Sequence, residues 1–322
     1  SCLNIRSGEA LLNEKAVQIT KAVFGKGSKE KLGSGVVRQY GKGEEGFNIS
    51  SCEFTIHYMF ENVKVLHNFL RNVAECTKLN GYFIGTAYDG KLVFNLLKKV
   101  KTSESIKIID DGKKIWEITK GYSADTFEDD SSSIGYRIDV YQESINQNIQ
   151  EFLINFDYLD RVLEAYGFKV IDRVEAQSLG LPEGSGLFGE LFNNMLEEIK
   201  KNKYKEKEFE NAANMSAFEK KISFLNRYFV YKKIMEVNTE KVEIELEEYN
   251  SRETIHVKPS RPIIQKEGKT VKPDRMVLTK NKEVYLLDYK TGNHNQKYQL
   301  QLENYQNAIE KMGLKVKILW IP

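Results

Sequence analysis

Two aspartates and a lysine near the carboxyl end of the chain have the spacing of a metal-dependent site. Asp288 and Lys290 lie two residues apart in an apolar run, so on a β-strand their side chains point to the same face. Asp274 precedes them by about one hairpin and can converge on the pair. Mg²⁺ prefers oxygen ligands such as carboxylates, and a lysine can position or activate water. The spacing therefore predicts a Mg²⁺ site formed by Asp274 and Asp288.

The helix predicted after this run supplies two more side chains, since Gln301 and Tyr305 are four residues apart and share one helix face. The segments 272–275, 287–292 and 299–305 together resemble the core of RecB-like nucleases of the PD-(D/E)XK class. That resemblance implies a small α/β restriction-endonuclease-like domain acting on DNA, with catalytic residues Asp274, Asp288, Lys290, Gln301 and Tyr305. The plainer alternative is that such aspartates and lysines form surface ion pairs. The class also uses a ligand on an earlier helix, which the acidic stretch 240–248 does not match.

A second group of polar and aromatic side chains lies in the first two thirds of the chain. It comprises Glu53, His57, Tyr58, Glu151 and Tyr228. Carboxylate and imidazole groups can hydrogen-bond the edge of a purine, and an aromatic ring favours a cationic purine. The set lacks the arrangement of a nucleophilic triad, and it is singled out by a family resemblance, which implies a site that holds a base in position.

Four segments carry a resemblance in this part of the chain. Residues 4–10, 47–58, 81–90 and 226–232 resemble mRNA cap guanine-N7 methyltransferases, in the form found in capping enzymes of large DNA viruses. The resemblance covers about residues 1–234. It implies a Rossmann-like class I methyltransferase sheet, S-adenosylmethionine as cofactor and capped RNA as substrate. It also implies upstream capping domains or a stimulatory subunit as partners.

The same resemblance assigns roles to individual residues. Glu53 and Tyr58 match positions at the S-adenosylmethionine, and His57, Glu151 and Tyr228 match positions at the cap guanine. Glu53 departs from the family, where glutamine is usual. We expect the cofactor site to be incomplete in this sequence, because no Gly-rich turn after an apolar strand and no ribose-binding acid precede these motifs. A chain starting at Ser1 suggests a fragment of a longer protein.

Each residue also has a plainer interpretation. His57 at a strand end is typical of a satisfied surface histidine, Glu151 is typical of the acids that open helices, and Tyr228 in an aromatic strand is typical of a core residue. Only their joint pattern favours the cap site. Two other functions remain open, a Mg²⁺-dependent DNA exonuclease as the sole activity and a cap-binding remnant without catalysis.

The elements that must position these residues follow from hydrophobic periodicity. A buried strand is predicted over 47–58, a helix over 63–79, a turn at Asn80–Gly81 and a strand over 81–86. Strand, helix and strand form the βαβ unit of a doubly wound α/β sheet. A helix is predicted over 149–166 and a final aromatic strand over 224–231. We predict a methyltransferase domain over 1–234 with a cap-recognition insertion at about 91–220, a linker over 235–247 and the nuclease-like core over 248–322.

Composition limits the remaining choices. The 322 residues carry a formal charge of +2, so a nucleic-acid partner must be held by a local patch or a pocket. The lysine-rich stretches Lys98–Lys101 and Lys200–Lys207 are interleaved with or flanked by acids, which favours solvated helix faces for both. Three dispersed cysteines indicate neither a disulfide framework nor a zinc site. No apolar run spans a bilayer, and we expect an intracellular protein of the cytoplasm or nucleus.

Overall fold

The computed structural model describes residues 14–30, 32–242, 254–257, 263–264, 270–271, 275–279, 283–289, 306, 310 and 315–321. The chain divides into two compact units, Ser1–Glu243 and Ile244–Pro322. All five residues predicted to bind the cofactor or the cap lie in the first unit.

The helices and strands follow one another along both units. The α-helices are α1 (Glu14–Val23), α2 (Ser34–Val37), α3 (Val63–Cys76), α4 (Gly90–Leu96), α5 (Phe156–Ala165), α6 (Arg173–Ser178), α7 (Phe188–Lys201), α8 (Lys205–Phe209) and α9 (Ala217–Ser223). Three 3₁₀ helices span Ile56–Glu61, Ser131–Ser133 and Glu210–Asn214. The strands of the first unit are β1 (Phe47–Glu53), β2 (Thr77–Tyr88), β3 (Ser105–Asp110), β4 (Lys113–Lys120), β5 (Arg137–Gln142), β6 (Gln147–Phe152), β7 (Phe168–Val170), β8 (Ser185–Leu187) and β9 (Asn226–Lys233). Those of the second unit are β10 (Thr254–Val257), β11 (Ile263–Ile264), β12 (Thr270–Val271), β13 (Arg275–Thr279), β14 (Glu283–Tyr289) and β15 (Lys315–Ile321).

The main sheet of the first unit has the order β1-β2-β9-β7, with β8 also pairing with β9. Strands β1 and β2 are parallel and α3 connects them, so the predicted βαβ unit is present. Strand β9 runs antiparallel between β2 on one edge and β7 and β8 on the other. The rings of Phe83 on β2 and Phe229 on β9 pack at 5.2 Å, which fills the core on one face of this sheet.

Three predicted boundaries in the βαβ unit are wrong, the first being the end of the helix, which lies at Cys76 instead of residue 79. The first strand ends at Glu53 instead of continuing to Tyr58, and a 3₁₀ helix follows it. Only Cys52 of β1 is buried, so β1 is not the buried strand that its apolar residues predict. The turn predicted at Asn80 lies inside β2, where the pairing register with β1 shifts and Asn80 takes a φ of 63°. A bulge therefore absorbs the turn-forming residues without ending the strand.

A second, antiparallel sheet with the order β3-β4-β5-β6 lies within the predicted insertion. The helix predicted over 149–166 is wrong in its first part, because 147–152 form β6 and pair with β5. Helix α5 begins only at Phe156, after the side chain of Asn155 accepts a hydrogen bond from the Tyr158 amide at 3.2 Å. Glu151 consequently lies on an edge strand and not at a helix start.

Helix α4 connects the two sheets of the first unit. Val93 and Phe94 of α4, and Leu97 directly after it, share one buried cluster with Trp116 and Ile138 of the second sheet. A Cβ added to Gly90 would lie 2.2 Å from the carbonyl oxygen of Ile154, so only glycine permits this approach. The close contact fixes β6 relative to the end of β2.

The second unit contains a mixed sheet with the order β10-β13-β14-β15. Strands β13 and β14 form an antiparallel pair, and β14 and β15 are parallel. Asp288 lies on β14, paired with Trp320 of β15. The other residues of the predicted nuclease site, Asp274, Lys290, Gln301 and Tyr305, lie outside the described residues.

No helix among the described residues is long and apolar enough to cross a membrane.

Candidate nucleobase-binding site

The carboxyl end of β1 turns sharply and delivers three of the predicted site residues. Phe54, directly after Glu53, has a φ of 49°, which is uncommon for a side chain other than glycine. Its amide donates to the Thr86 carbonyl at 2.8 Å, and its ring packs edge-on against Phe188 at 6.2 Å. The 3₁₀ helix then starts at Ile56 and places His57 and Tyr58 beside the end of the sheet. Strained backbone of this kind is frequent at functional sites.

His57 and Glu151 face each other across the gap between that 3₁₀ helix and β6. The His57 Nε2 atom lies 3.8 Å from Glu151 Oε1, which is too long for a hydrogen bond. Both residues are buried, with 4% and 7% of their surface exposed. His57 Nδ1, His57 Nε2 and Glu151 Oε2 are buried without a hydrogen-bond partner among the described residues. Since each unpaired buried polar group costs about 1–3 kcal/mol, the arrangement calls for a polar ligand.

Burial also controls the charge of this pair. Desolvation lowers the pKa of His57 to about 4 and raises the pKa of Glu151 to about 7. At neutral pH the imidazole is therefore neutral, and the Glu151 carboxyl is divided between its acid and carboxylate forms. The pair is consequently not an ion pair at that pH, and the carboxylate, when formed, has no cation to compensate it within the pair.

Aromatic side chains surround the pair. The Tyr58 ring is 4.2 Å from the His57 ring in an edge-on arrangement, and 37% of Tyr58 is exposed. Burial and the Glu151 carboxylate both raise the pKa of Tyr58. Tyr88, at the end of β2, is buried and accepts a hydrogen bond from Trp116 Nε1 at 3.1 Å. Burial, and to a smaller extent the Glu151 carboxylate, raises the pKa of Tyr88 to about 12, so both tyrosines lie near the polar pair.

A second set of side chains lies in one row across the main sheet. Glu53, Thr86, Tyr228 and Gly186 are paired in register on β1, β2, β9 and β8. The Thr86 hydroxyl donates to Glu53 Oε2 at 2.6 Å, and Ser51 donates to Glu53 Oε1 at 2.9 Å. Tyr228 is buried, and its hydroxyl donates to the Glu183 carbonyl at 3.0 Å. The carboxylate of Glu53 remains exposed at the end of this row.

The structure therefore brings together some of the residues that the sequence singled out and separates others. His57, Tyr58 and Glu151 converge although 93 residues separate Tyr58 from Glu151 along the chain. Glu53 and Tyr228 lie on the main sheet, and Glu151 lies on the other one. Sequence reasoning missed Thr86, which holds Glu53. The signal was available, because Thr86 belongs to the segment 81–90 that carries the family resemblance.

Metal binding is a separate question. Among the described residues, no group of three or more histidine, cysteine, aspartate or glutamate side chains is arranged to hold a metal ion. The predicted Mg²⁺ ligand Asp274 lies outside the described part of the chain, so the predicted metal site stays a prediction.

The geometry of the first unit fits recognition of a nucleobase edge. A buried carboxylate accepts hydrogen bonds from neighbouring N–H groups, and a neutral imidazole both donates and accepts one. Guanine presents N–H donors and a carbonyl acceptor side by side, and its ring fits between aromatic walls. A buried polar pair lined by Tyr58 and Tyr88 can therefore bind and orient a purine.

Comparison with known proteins gives a consistent result. The mRNA (guanine-N(7))-methyltransferase domain model matches residues 14–234. A probable mRNA-capping enzyme of Acanthamoeba polyphaga mimivirus is 29% identical over 235 residues, which is 64% of this chain and 19% of that protein. The mRNA cap guanine-N(7) methyltransferases of Drosophila melanogaster and Saccharomyces cerevisiae are 25% and 26% identical over 39% of this chain, and over 27% and 29% of their own lengths. The chain thus spans less than a third of these relatives, and the predicted nuclease-like segment lies outside the matched domain.

Proposed function

Because the chain belongs to the mRNA (guanine-N(7))-methyltransferase family, we propose that it methylates N7 of the mRNA cap guanine with S-adenosylmethionine as methyl donor. The observation that carries the proposal is the buried, unpartnered pair of His57 and Glu151 at the end of the main sheet. The family predicted from the sequence over about residues 1–234 is confirmed by the domain match at 14–234.

Glu151 is the residue that selects guanine in this proposal. Its carboxylate accepts from the N1–H and exocyclic amine of guanine, whereas adenine has no N1–H to donate. His57 is neutral and contributes a second polar contact beside it. The methylated base is cationic, and the exposed ring of Tyr58 favours a cation in contact with it. The Tyr228 hydroxyl already donates to the Glu183 carbonyl, so we propose that Tyr228 contributes its ring to the wall of the pocket.

Glu53 is the residue that fits the methyl donor. When bound, S-adenosylmethionine supplies a methyl group activated by a sulfonium. The exposed Glu53 carboxylate, held by Ser51 and Thr86, can accept from the ammonium group of its methionine part. The family's usual glutamine at this position would accept less strongly, because a carboxylate makes charge-assisted hydrogen bonds. The Tyr58 ring lies 4.2 Å from the His57 ring and is partly exposed, so in this proposal it contacts both ligands.

The methyl transfer itself requires that both reactants be held in position, and it requires no general base. Guanine N7 carries a lone pair and gives up no proton when its bond to the methyl carbon forms. Holding two reactants in line at near-attack distance can contribute roughly 7–11 kcal/mol to lowering the barrier. The rigid pair of sheets joined at Gly90 provides such a frame.

The test is methyl transfer from labelled S-adenosylmethionine to unmethylated capped RNA. We expect Glu151→Gln to abolish most of the transfer and Asp139→Asn to leave it unchanged. Asp139 is a suitable control because it neighbours Ile138, the residue paired with Glu151, and its side chain lies on the opposite face of the same sheet. Cap binding without transfer, lost on Glu151→Gln, would instead identify a non-catalytic cap-binding protein. Equal transfer by both variants would contradict the assignment of Glu151.

One observation favours a second candidate function for the other unit. Arg275, next after Asp274, pairs with Leu287, which directly precedes Asp288. The hairpin thus pairs the two residues that adjoin the predicted metal ligands, as expected if these ligands converge, and on this basis we propose Mg²⁺-dependent cleavage of DNA as the second candidate. Asp288→Asn should abolish Mg²⁺-dependent degradation of linear DNA without changing methyl transfer, and cleavage that persists in this variant would rule out the proposed ligand.

A further inference from the structure

Two lysine-rich stretches that look alike in the sequence differ in the structure. In the stretch Lys200–Lys207, Lys200, Lys201 and Lys205 form ion pairs with Glu197 or Glu198. These three lysines are neutralised on the helix face that the sequence predicted. Lysines of the stretch Lys98–Lys101, which follows α4, lie at the surface without a carboxylate within 4.0 Å among the residues that the structure describes. The two stretches therefore have different electrostatic characters.

Other unpaired lysines lie on α9, which packs against the same core cluster as α4. Helix α9 packs through Phe218 and Ile222 against the same core cluster that Leu96 and Val100 contact around α4. Its last turn carries two more lysines, of which Lys220 is half-buried and Lys221 is exposed. We call the combined set the basic patch; it consists of Lys98, Lys99, Lys101, Lys220 and Lys221.

The charges of the basic patch are not compensated by the nearby acids. Within the described part of the chain, none of its lysines forms an ion pair with a carboxylate, and Lys220 lies over the ring of Phe192. Glu104 and Glu219 are the acids in these segments, and both accept hydrogen bonds from backbone amides. A cluster of uncompensated cations attracts a polyanion.

The basic patch lies near the cap site. Leu225, two residues after the end of α9, accepts a backbone hydrogen bond at 2.8 Å from the amide of Asp89, which directly follows the site residue Tyr88. Helix α4 runs from Gly90, the residue after Asp89, to the first lysines of the patch. A chain leaving the site can therefore reach the patch within a few nucleotides.

We propose that the basic patch binds the phosphates of the nucleotides that follow the cap. The protein thereby holds a capped transcript more tightly than a free cap, by contacts that do not read its sequence. The inference rests on the proposed function for its substrate, but its contacts are to the RNA backbone and not to the guanine. An acidic protein segment is the competing occupant.

The experiment compares two variants of the whole chain with the same number of lost charges. The patch variant combines Lys98→Gln, Lys99→Gln, Lys220→Gln and Lys221→Gln. The control variant combines Lys200→Gln, Lys201→Gln, Lys203→Gln and Lys205→Gln. Binding of an uncapped 20-nucleotide RNA and of a capped dinucleotide is measured by anisotropy or competition between 50 and 300 mM salt.

We expect the patch variant to bind the RNA roughly tenfold or more weakly at low salt, with a log–log salt dependence reduced by about 0.7 for each lysine lost. The control variant should bind RNA as the unmodified chain does, and both variants should keep their affinity for the capped dinucleotide. Unchanged RNA affinity and salt dependence in the patch variant would overturn the proposal. Loss of binding to polyglutamate with RNA binding kept would also overturn it, in favour of an acidic protein.

Failure of the proposed function would be visible separately. If the unmodified chain binds no capped dinucleotide but the patch variant still loses RNA affinity, the patch binds RNA and the cap assignment is wrong. Circular dichroism of each variant confirms that its fold is retained.

Discussion

His57 and Glu151 form a buried polar pair in which neither side chain has a full set of hydrogen-bond partners among the described residues. A histidine and a glutamate 3.8 Å apart would ordinarily be expected to charge each other. Here burial dominates and favours the neutral form of both, with the pKa of His57 at about 4 and that of Glu151 at about 7. A ligand that brings N–H donors reverses this balance for Glu151, because hydrogen bonds to the carboxylate favour its charged form.

The affinity for a cap dinucleotide is therefore expected to depend on pH through Glu151. Guanine N1–H requires the carboxylate, and the acid form, present below about pH 7, offers a competing O–H donor. We expect the Kd of the unmethylated cap dinucleotide to rise by up to tenfold for each pH unit below 7, as measured by titration between pH 5.5 and 8.5. Glu151→Gln should give a flat profile. A flat profile in the unmodified protein would contradict ionisation of Glu151 as the binding requirement.

The same group affects stability with the opposite sign. The folded state raises the pKa of Glu151 above its ordinary value of 4.5, so the folded protein holds this proton more tightly than the unfolded chain. The stabilisation is present below about pH 4.5 and is lost as pH rises through 7. Glu151→Gln should therefore stabilise the protein relative to the unmodified chain more at pH 8 than at pH 4.5. We expect the difference in free energy of unfolding between the two proteins to be about 1–3 kcal/mol larger at pH 8, as measured by urea unfolding. A pH-independent difference between the two proteins would refute the linkage.

At the scale of elements, the position of β6 decides whether the site exists. Glu151 belongs to the second sheet, and the packing of α4 against that sheet connects it to the end of the main sheet. The Gly90 amide donates to the Ile154 carbonyl at 3.0 Å, three residues after Glu151. Through this contact, the position of β6 depends on the position of the end of the main sheet.

Gly90→Ala should consequently impair the site without touching a ligand. A Cβ at Gly90 would lie 2.2 Å from the Ile154 oxygen, so β6 must shift. We expect a loss of about 1–3 kcal/mol in unfolding free energy, the usual cost of overpacking, and at least tenfold weaker cap binding. Gly33→Ala is the matched control, since no atom lies within 4 Å of its Cβ position. Calorimetric titration with the cap dinucleotide measures both variants; equal affinity would show that β6 is held by other contacts.

At the scale of the whole molecule, the two units carry separate candidate activities. The matched domain ends at residue 234, and the first unit ends at Glu243. The predicted linker over 235–247 includes this boundary. Both sheets that supply the cap site belong to the first unit.

A chain ended after Glu243 should retain the cap site. We expect its cap affinity to stay within about twofold of that of the full chain, and its thermal unfolding transition to persist, because each unit has its own sheet. Fluorescence titration and calorimetry provide the measurements. Loss of the unfolding transition on truncation would mean that residues 244–322 support the first unit.

Much of this molecule could be predicted from its sequence. The periodicity of 63–79 predicts α3, because its apolar residues recur on one helix face, and the adjacent strands give the parallel β1–β2 pair. The segments around Glu53, His57 and Tyr58 identify the family because their residue types and order are read directly from the chain. The +2 net charge predicts that any nucleic-acid partner is held by a local patch or a pocket.

Other features depended on tertiary structure, for a common physical reason. Residues 149–152 are apolar and polar in a pattern that fits a helix, and only pairing with β5 makes them a strand. The neutral state of His57 follows from its burial by distant parts of the chain, which its neighbours in sequence do not reveal. Lys98 and Lys200 look equivalent in sequence, but carboxylates neutralise one stretch, whereas the other shares a core cluster with the lysine-bearing helix α9. Local residue types determined the family, whereas burial and charge depended on contacts between residues far apart in the sequence.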